Sequence, residues 1–295
     1  MIPVLLVVSI LVFSMLHLAP GDPVHMMVNP RLGEEAIQQK RVELGLDRPL
    51  YVQYLSFMKR VFTGNLGRSI YTREHIAHML LQRLPNTLEL GFTALVLAFL
   101  VAIPAGTIAA KHRGQLLDYS TMFIAVVGLA MPQFWLALVL MLIFAVKLGW
   151  FPVAGTGGFR HLVLPSITLA AYFAGLMARM TRSSLLEVLG KDYILTARSK
   201  GLREITVLLK HGLRNALTPV ISVLGMEIGW LVGGAVVVEF VFNRPGLGRL
   251  MVHSLYMRDY PVVQFLILFL VMSVLIGNLA ADLLYSIANP RIRYV

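Results

Sequence analysis

Six long apolar runs, separated by stretches rich in charge, glycine and proline, organise this chain: residues 2–19, 87–110, 119–146, 162–180, 216–242 and 262–287. A helix needs about 20 apolar residues to cross a bilayer, so each run is an expected transmembrane helix, the fourth being the shortest. Pro132 lies inside the third run and predicts a kink. Pro165 falls in the first turn of the fourth, where the missing N–H is tolerated. The loop between runs one and two holds two helical stretches, 34–44 and 51–62, divided by Gly45-Leu46-Asp47-Arg48-Pro49 and closed by Gly64-Asn65-Leu66-Gly67. That pattern predicts a small folded cap rather than a linker. The expected architecture is an all-α membrane protein with six transmembrane helices. Its expected parts are helix one (1–19), a cap (20–86), a core of helices two to six (87–287) carrying a polar segment at 181–215, and a tail (288–295).

Charge orients the runs. Lys111 and Arg113 follow run two; Arg179, Arg182, Lys191, Arg198, Lys200, Arg203, Lys210 and Arg214 lie between runs four and five; Arg291 and Arg293 sit in the tail. The short loops on the other side hold only Lys147, Arg160, Arg244, Arg249 and Arg258. Basic residues in short loops favour the cytoplasm, so both termini and the 181–215 segment are expected inside. The basic residues of the long first loop do not overturn this, because long loops translocate largely regardless of charge. The run at the start has no basic residue before it and no small-residue cleavage site, so it reads as a retained span rather than a removed leader.

Composition supports lipid as the solvent. Hydrophobic residues make up 57% of the 295 and charged residues 14%, with mean hydropathy +0.75; soluble domains carry about 25% charged residues. The net charge of +11 is explained by positive flanks beside spans, so no nucleic-acid partner is expected. There is no cysteine, which excludes disulfides, thiolate nucleophiles and Cys-based metal sites. The phosphate-binding loop G-x-x-x-x-G-K-[ST] is absent, since Gly190-Lys191 is followed by Asp192 and position 185 is Leu185. His75 and His78 form the one helically spaced histidine pair, and no metal site is expected there. No catalytic residues are expected; the chain does not read as an enzyme.

The 181–215 segment carries the most information. Asp192 is placed to cap a short helix. Tyr193, Ile194 and Ala197 share one face by spacing, Arg198 points elsewhere, and Gly201 sits where a left-handed terminating residue belongs. A second amphipathic stretch follows, with Leu202, Ile205, Leu208, Leu209 and Leu213 opposed to Arg203, Lys210, His211 and Arg214. Such a helix suits docking into a groove on a soluble partner; lying on lipid headgroups is the other reading.

Several strings carry a family resemblance. They are Pro20-Gly21-Asp22-Pro23, Leu44-Gly45-Leu46-Asp47-Arg48-Pro49-Leu50-Tyr51, Gly64-Asn65-Leu66-Gly67-Arg68-Ser69 and Arg83-Leu84-Pro85-Asn86-Thr87-Leu88-Glu89. Further on stand Asp192-Tyr193-Ile194-Leu195-Thr196-Ala197-Arg198-Ser199-Lys200-Gly201, His211-Gly212-Leu213-Arg214-Asn215, Pro245-Gly246-Leu247-Gly248-Arg249, Arg258-Asp259-Tyr260-Pro261 and Asn289-Pro290-Arg291. In this order they resemble ABC transporter permeases of the dipeptide/oligopeptide/nickel branch, specifically the first permease of the pair. Two positions depart from the pattern: Leu195 stands where the wider superfamily has glutamate, and Asn289 where aspartate is usual. The resemblance implies a type I importer permease fold in a bacterial or archaeal inner membrane. It implies docking of Asp192, Tyr193, Ile194, Ala197, Arg198 and Gly201 on an ATP-binding subunit. The implied partners are a second homologous permease, two ATP-binding subunits, an extracytoplasmic solute-binding protein and membrane lipid. ATP would be used by the partners, with no cofactor in this chain. The implied cargo is a di- or oligopeptide, with nickel or glutathione as alternatives. An ion-gradient-driven secondary transporter is the rival, although such carriers often show inverted repeats.

Gly225, Gly229 and Gly233 recur every fourth residue in run five, a spacing that lets helix backbones approach. Either the partner permease and substrate path or packing within one subunit would use it. Intramembrane acids favour bundle interiors or watery cavities. Glu227, in the middle of run five, is the path candidate. Glu239 is expected to pair with Arg244 or Arg249, Glu89 to sit at the interface, and Asp282 to make a cytoplasmic-side contact.

Overall fold

The computed structural model describes residues 2–18, 33–43 and 46–288. The Pro20–Pro23 and Leu44-Gly45 strings and the tail from Asn289 lie outside them. Each of the six apolar runs coincides with helix: α1 (Ile2–Leu18), α4 (Ile76–Lys111), α5 (Leu116–Ala130) continued by α6 (Gln133–Leu140), α7 (Phe159–Leu189), α10 (Arg214–Gly234) continued by α11 (Val236–Val241), and α13 (Tyr260–Ala288). The loop helices are α2 (Gly33–Glu43), α3 (Leu50–Thr63), α8 (Asp192–Ser199), the single turn α9 (Glu204–Thr206) and α12 (Leu247–Tyr256). Among the described residues three helices are long and apolar enough to cross a membrane, four if the bent third run counts as one span.

The third run is broken rather than kinked, its halves meeting at 106°. Proline drives the preceding residue out of helical space, and both Met131 (ψ 130°) and Pro132 (ψ 129°) are extended. Helices α4 and α7 are longer than their apolar runs. The added turns carry His78, Gln82 and Arg83 in α4 and Arg182 and Glu187 in α7, so hydropathy does not register them although the backbone stays helical.

The core follows membrane packing rules, small residues inside and large ones outside. Along α4, Ala94, Ala98, Ala102 and Gly106 are buried, chiefly against α7, while Leu88, Phe92, Val96 and Leu100 point outward. Lipid is as apolar as leucine, so close backbone approach and van der Waals contact hold such helices together. A Cβ on Gly106 would lie 2.6 Å from the Ala178 carbonyl oxygen and 2.6 Å from Thr181 Cβ. A Cβ on Gly175 of α7 would run into the Ala125 carbonyl of α5. Gly106→Val is therefore expected to destabilise the purified protein by about 1–3 kcal/mol, read as a lower Tm in detergent. Gly233→Ala, where a Cβ meets nothing within 4 Å, should leave the Tm unchanged. Equal Tm values for the two variants would mean that α4 and α7 are not in close contact.

At the end of the spans opposite the 181–215 segment, strings far apart in the chain close on one another. The Glu239 carboxylate is fully buried. It accepts from Thr87 Oγ1 (2.6 Å) and from the backbone N–H groups of Gly248 (2.7 Å) and Arg249 (3.2 Å). The expected pairing with an arginine side chain is thus corrected: helix-start N–H groups and a hydroxyl hold the acid. Arg244 turns to Glu89 instead, at 2.5 Å, and is itself buried. Asn86 Nδ2 donates to the Pro245 carbonyl at 3.0 Å. A second tie forms where Ser69 Oγ and the Ile70 N–H donate to the buried Asp259. The first loop also leans on the spans: Tyr54 Oη of α3 lies 2.8 Å from Ser9 Oγ of α1, and Phe57 stacks 5.4 Å from Phe265 of α13.

Candidate functional site

The segment between α7 and α10 is built around α8. The helix begins at Asp192, with Lys191 in the extended cap position (ψ 151°) and no side-chain cap bond. Asp192 therefore lies in the first turn, where its charge favours the helix dipole, rather than at the cap expected from the sequence. Its end matches expectation. Lys200 closes the helix, and Gly201 follows at φ +74°, its N–H donating to the Arg198 carbonyl at 2.9 Å. A side chain at this left-handed position would be strained.

The apolar face expected from Tyr193, Ile194 and Ala197 is divided. Ile194 and Ala197 are buried against Val188 and Leu189 of α7 and against Val207. Tyr193 faces outward at 42% exposure and Leu195 at 55%. Burial removes two apolar side chains from water and anchors the helix to its own chain. The following stretch divides too. Leu208 is buried, whereas Leu202, Ile205 and Leu209 are exposed. The physical reason is the neighbour on one side only: Leu208 packs with Ala110, Leu185 and Ala216, and no such cluster among the described residues takes up the other three.

Two polar links brace the helix. Asn215 Nδ2 at the start of α10 donates to Tyr193 Oη at 3.0 Å. Arg198 grips Glu204 with Nη2 at 2.7 Å and Nε at 3.2 Å. The Glu204 carboxyl is held below its ordinary value near 4.5, first by the hydrogen bond from Arg198, with the charges of Arg198 and Lys111 adding to it. A folded-state value below the unfolded one gives stabilisation that is complete above the ordinary carboxylate range and is lost as pH falls through it. Both partners are largely exposed, so the pair is worth about 0.2–1 kcal/mol. Protease cleavage after Lys200 should accordingly be constant from pH 6 to 8 and rise below pH 4.5. Arg198→Gln should remove that pH dependence. A pH-independent cleavage rate in the unmodified protein would show that the pair does not brace the turn.

Of the residues in run five, Gly225 is buried and Glu227 is half-buried. Gly233 is open on its side-chain face. The surroundings of Gly229 and Asp282 lie outside the described side chains. Helix α10 packs on α13 and α7. The ties that sequence reasoning missed are Thr87–Glu239, Glu89–Arg244, Ser69–Asp259 and Asp118–Arg182. Their residues, Asp118, Arg182 and Glu239 apart, stand in or beside the quoted strings, but nothing in a linear pattern says which string meets which.

Comparison with known proteins places this geometry. Residues 102–294 match the family described as binding-protein-dependent transport system inner membrane component, and residues 1–91 match its N-terminal membrane-component family. The glutathione transport system permease protein GsiC of Escherichia coli (strain K12) is 45% identical over 294 residues, covering 100% of this chain and 96% of that protein. GsiC of Salmonella choleraesuis (strain SC-B67) gives the same figures. Among solved structures, an inward-facing MetNI methionine ABC transporter aligns with TM-score 0.62 and 22% identity, over 72% of this chain and 96% of that one. An amino acid ABC transporter solved with histidines aligns at TM-score 0.51 and 17% identity, over 72% and 94%. These two show the fold, which is that of ABC importer permeases. The family works with ATP-binding and substrate-binding proteins. A chain with six apolar runs, helical over most of its described residues and with these matches, is a transport component and not an enzyme: it belongs to the binding-protein-dependent inner membrane components and is the membrane-spanning permease subunit of an ATP-binding-cassette importer.

Proposed function

We propose that this chain forms half of a translocation path for short peptides, working with a second homologous permease, two ATP-binding subunits and an extracytoplasmic solute-binding protein. The membrane is the cytoplasmic membrane of a bacterium or archaeon, with both termini inside. The observation that carries the reading is α8. The chain holds it from within through Ile194 and Ala197 and leaves Tyr193 and Leu195 outward on the side with more basic loop residues. Asp192, Arg198 and Gly201 shape and brace this docking helix rather than supply its apolar contact. ATP is bound and hydrolysed by the partners. Their closure pulls on α8, and α7 and α10, joined to it at either end, pass the movement to the spans; ATP and cargo bias two packed arrangements. Gly225, Glu227, Gly229 and Gly233 of α10 face the path or the partner permease.

The cargo follows from chemistry shared with the relatives. Glutathione is a tripeptide, so the GsiC names and the peptide reading converge on a short peptide, with glutathione first and chelated nickel as the alternative. The test is uptake into proteoliposomes holding the assembled complex and ATP, with labelled glutathione, a dipeptide and nickel offered in turn. Saturable, ATP-dependent uptake of a peptide supports the reading. Uptake of nickel alone, or flux through this chain without partners, would overturn it.

A further inference from the structure

We propose that the groove between the cytoplasmic ends of α5 and α7 binds an anionic phospholipid of the inner leaflet. It is a cavity of about 470 Å³, and its lining changes character with depth. At its mouth, Arg182 reaches across to Asp118, with Nε–Oδ1 at 2.6 Å and Nη2–Oδ2 at 2.7 Å. The Gly114 N–H takes the same carboxylate at 3.0 Å. This fork fixes the guanidinium in place and leaves its Nη1 unengaged by Asp118. One turn deeper on α7 stands Arg179, exposed and with no hydrogen bond or ion pair among the described residues. Beside and beyond it the walls are Met122, Val126, Leu176 and Met180.

Donors at one end and thioether and aliphatic groups at the other match an amphiphile standing as an inner-leaflet lipid stands. A cation at the edge of the hydrocarbon needs an anion or water, and basic pockets between transmembrane helices on the cytoplasmic side take acidic headgroups. Arginine suits phosphate by its planar fork. The lining includes no acid, and the nearby Asp118 is already taken by Arg182 and Gly114. The ammonium group of a peptide or of a zwitterionic lipid therefore finds no unpaired carboxylate in the lining. The apolar walls also suit an acyl chain better than a hydrophilic cargo.

The inference rests on the orientation proposed above, which is checked separately. The chain has no cysteine, so a single one placed at Lys191 reports its side of the membrane. Labelling from outside would overturn the orientation without affecting the lipid comparison. For the lipid itself, the assembled complex is purified in mild detergent, supplied with phosphatidylglycerol or phosphatidylcholine, and weighed by native mass spectrometry. Phosphatidylglycerol should be kept over phosphatidylcholine by about fivefold, the effect expected of the one arginine, Arg179, whose charge is not balanced by Asp118. Arg179→Gln and the groove-filling Met122→Trp should each bring the two lipids level, and Arg179→Lys should keep part of the preference. Equal retention of both lipids by the unmodified complex would overturn the proposal. So would phosphatidylglycerol retention untouched by both variants, or an Arg179→Gln variant whose only change is a raised KM for cargo. That last result would make the groove a cargo subsite.

Discussion

Ile194→Asp is expected to abolish ATP-driven uptake, by at least about a hundredfold, while the complex still reaches the membrane. Ile194 is completely buried between α8, the end of α7 and Val207. A carboxylate there would sit among Val188, Leu189 and Val207, and burying it unpaired costs several kcal/mol. The helix escapes that cost by coming off α7, because its remaining inward contact is the small side chain of Ala197. A detached α8 cannot transmit movement to α7 and α10, so the partners hydrolyse ATP without transport. Tyr193→Asp is the informative contrast. Its side chain faces outward and its one tie is the exposed hydrogen bond from Asn215, so the isolated chain should lose no more than about 1 kcal/mol while docking and uptake fall. Uptake is measured in vesicles, with the amount of assembled complex and the ATPase rate recorded for each variant. Normal uptake in Ile194→Asp would show that α8 is not seated on α7. Normal uptake in Tyr193→Asp would show that its outward face does not meet the motor.

The second large effect belongs to Glu239→Ala. The change deprives three donors at once, the Thr87 hydroxyl and the N–H groups of Gly248 and Arg249. Each buried donor left without a partner costs about 1–3 kcal/mol, so a loss of at least about 3 kcal/mol is expected, read as a lower Tm and faster proteolysis of the loop around Pro245. Thr87→Val leaves the two N–H bonds to Glu239 in place but deprives the buried Leu247 N–H of its acceptor, Thr87 Oγ1 at 2.9 Å; it should cost about 1–3 kcal/mol. The double variant should fall short of the sum, because both act on one network. Gly246→Ala offers an independent check: its new methyl would occupy the space of the Glu239 carboxylate, so it should resemble Glu239→Ala. A Glu239→Ala protein with unchanged Tm would mean that water already serves these donors.

Much of the molecule was legible in advance because the signals were local. An apolar run of sufficient length has few fates in water, so the existence and order of the helical runs follow from 2–19, 87–110 and their successors. Gly64 and Gly201 marked ends that the backbone confirms with φ values of +69° and +74°. Pro132 marked a disturbance, but its size was not legible. Whether a proline kinks a helix or breaks it to 106° depends on what the two halves pack against. The lengths of α4 and α7 were hidden for a related reason, since hydropathy averages over a turn and the added turns pair buried residues such as Ile76, Met79 and Leu185 with polar ones such as His78, Arg83 and Glu187.

The site was legible as a location and not as a surface. Strings from 192 to 201 marked a short helix between two spans, and helical spacing put Tyr193 with Ile194. Which residues of a short amphipathic helix turn inward is decided by the neighbour it leans on, here Val188, Leu189 and Val207, and a helical wheel contains no neighbours. In the same way Leu208 faces in because Leu185 and Ala216 are there to receive it, and Leu209 faces out.

By itself the order of amino acids determined the apolar solvent and the succession of apolar runs, because each depends on composition or on spacing within one segment, and it carried the class of transporter through strings that resemble a known family when taken in order. Tertiary structure alone decided which acid meets which donor. Glu239 took the N–H groups of a helix start, Arg244 went to Glu89, and Asp118 took Arg182. Opposite charges attract at any separation in sequence; only the folded chain sets which of them lie within 3 Å, and desolvation on burial makes that choice strong.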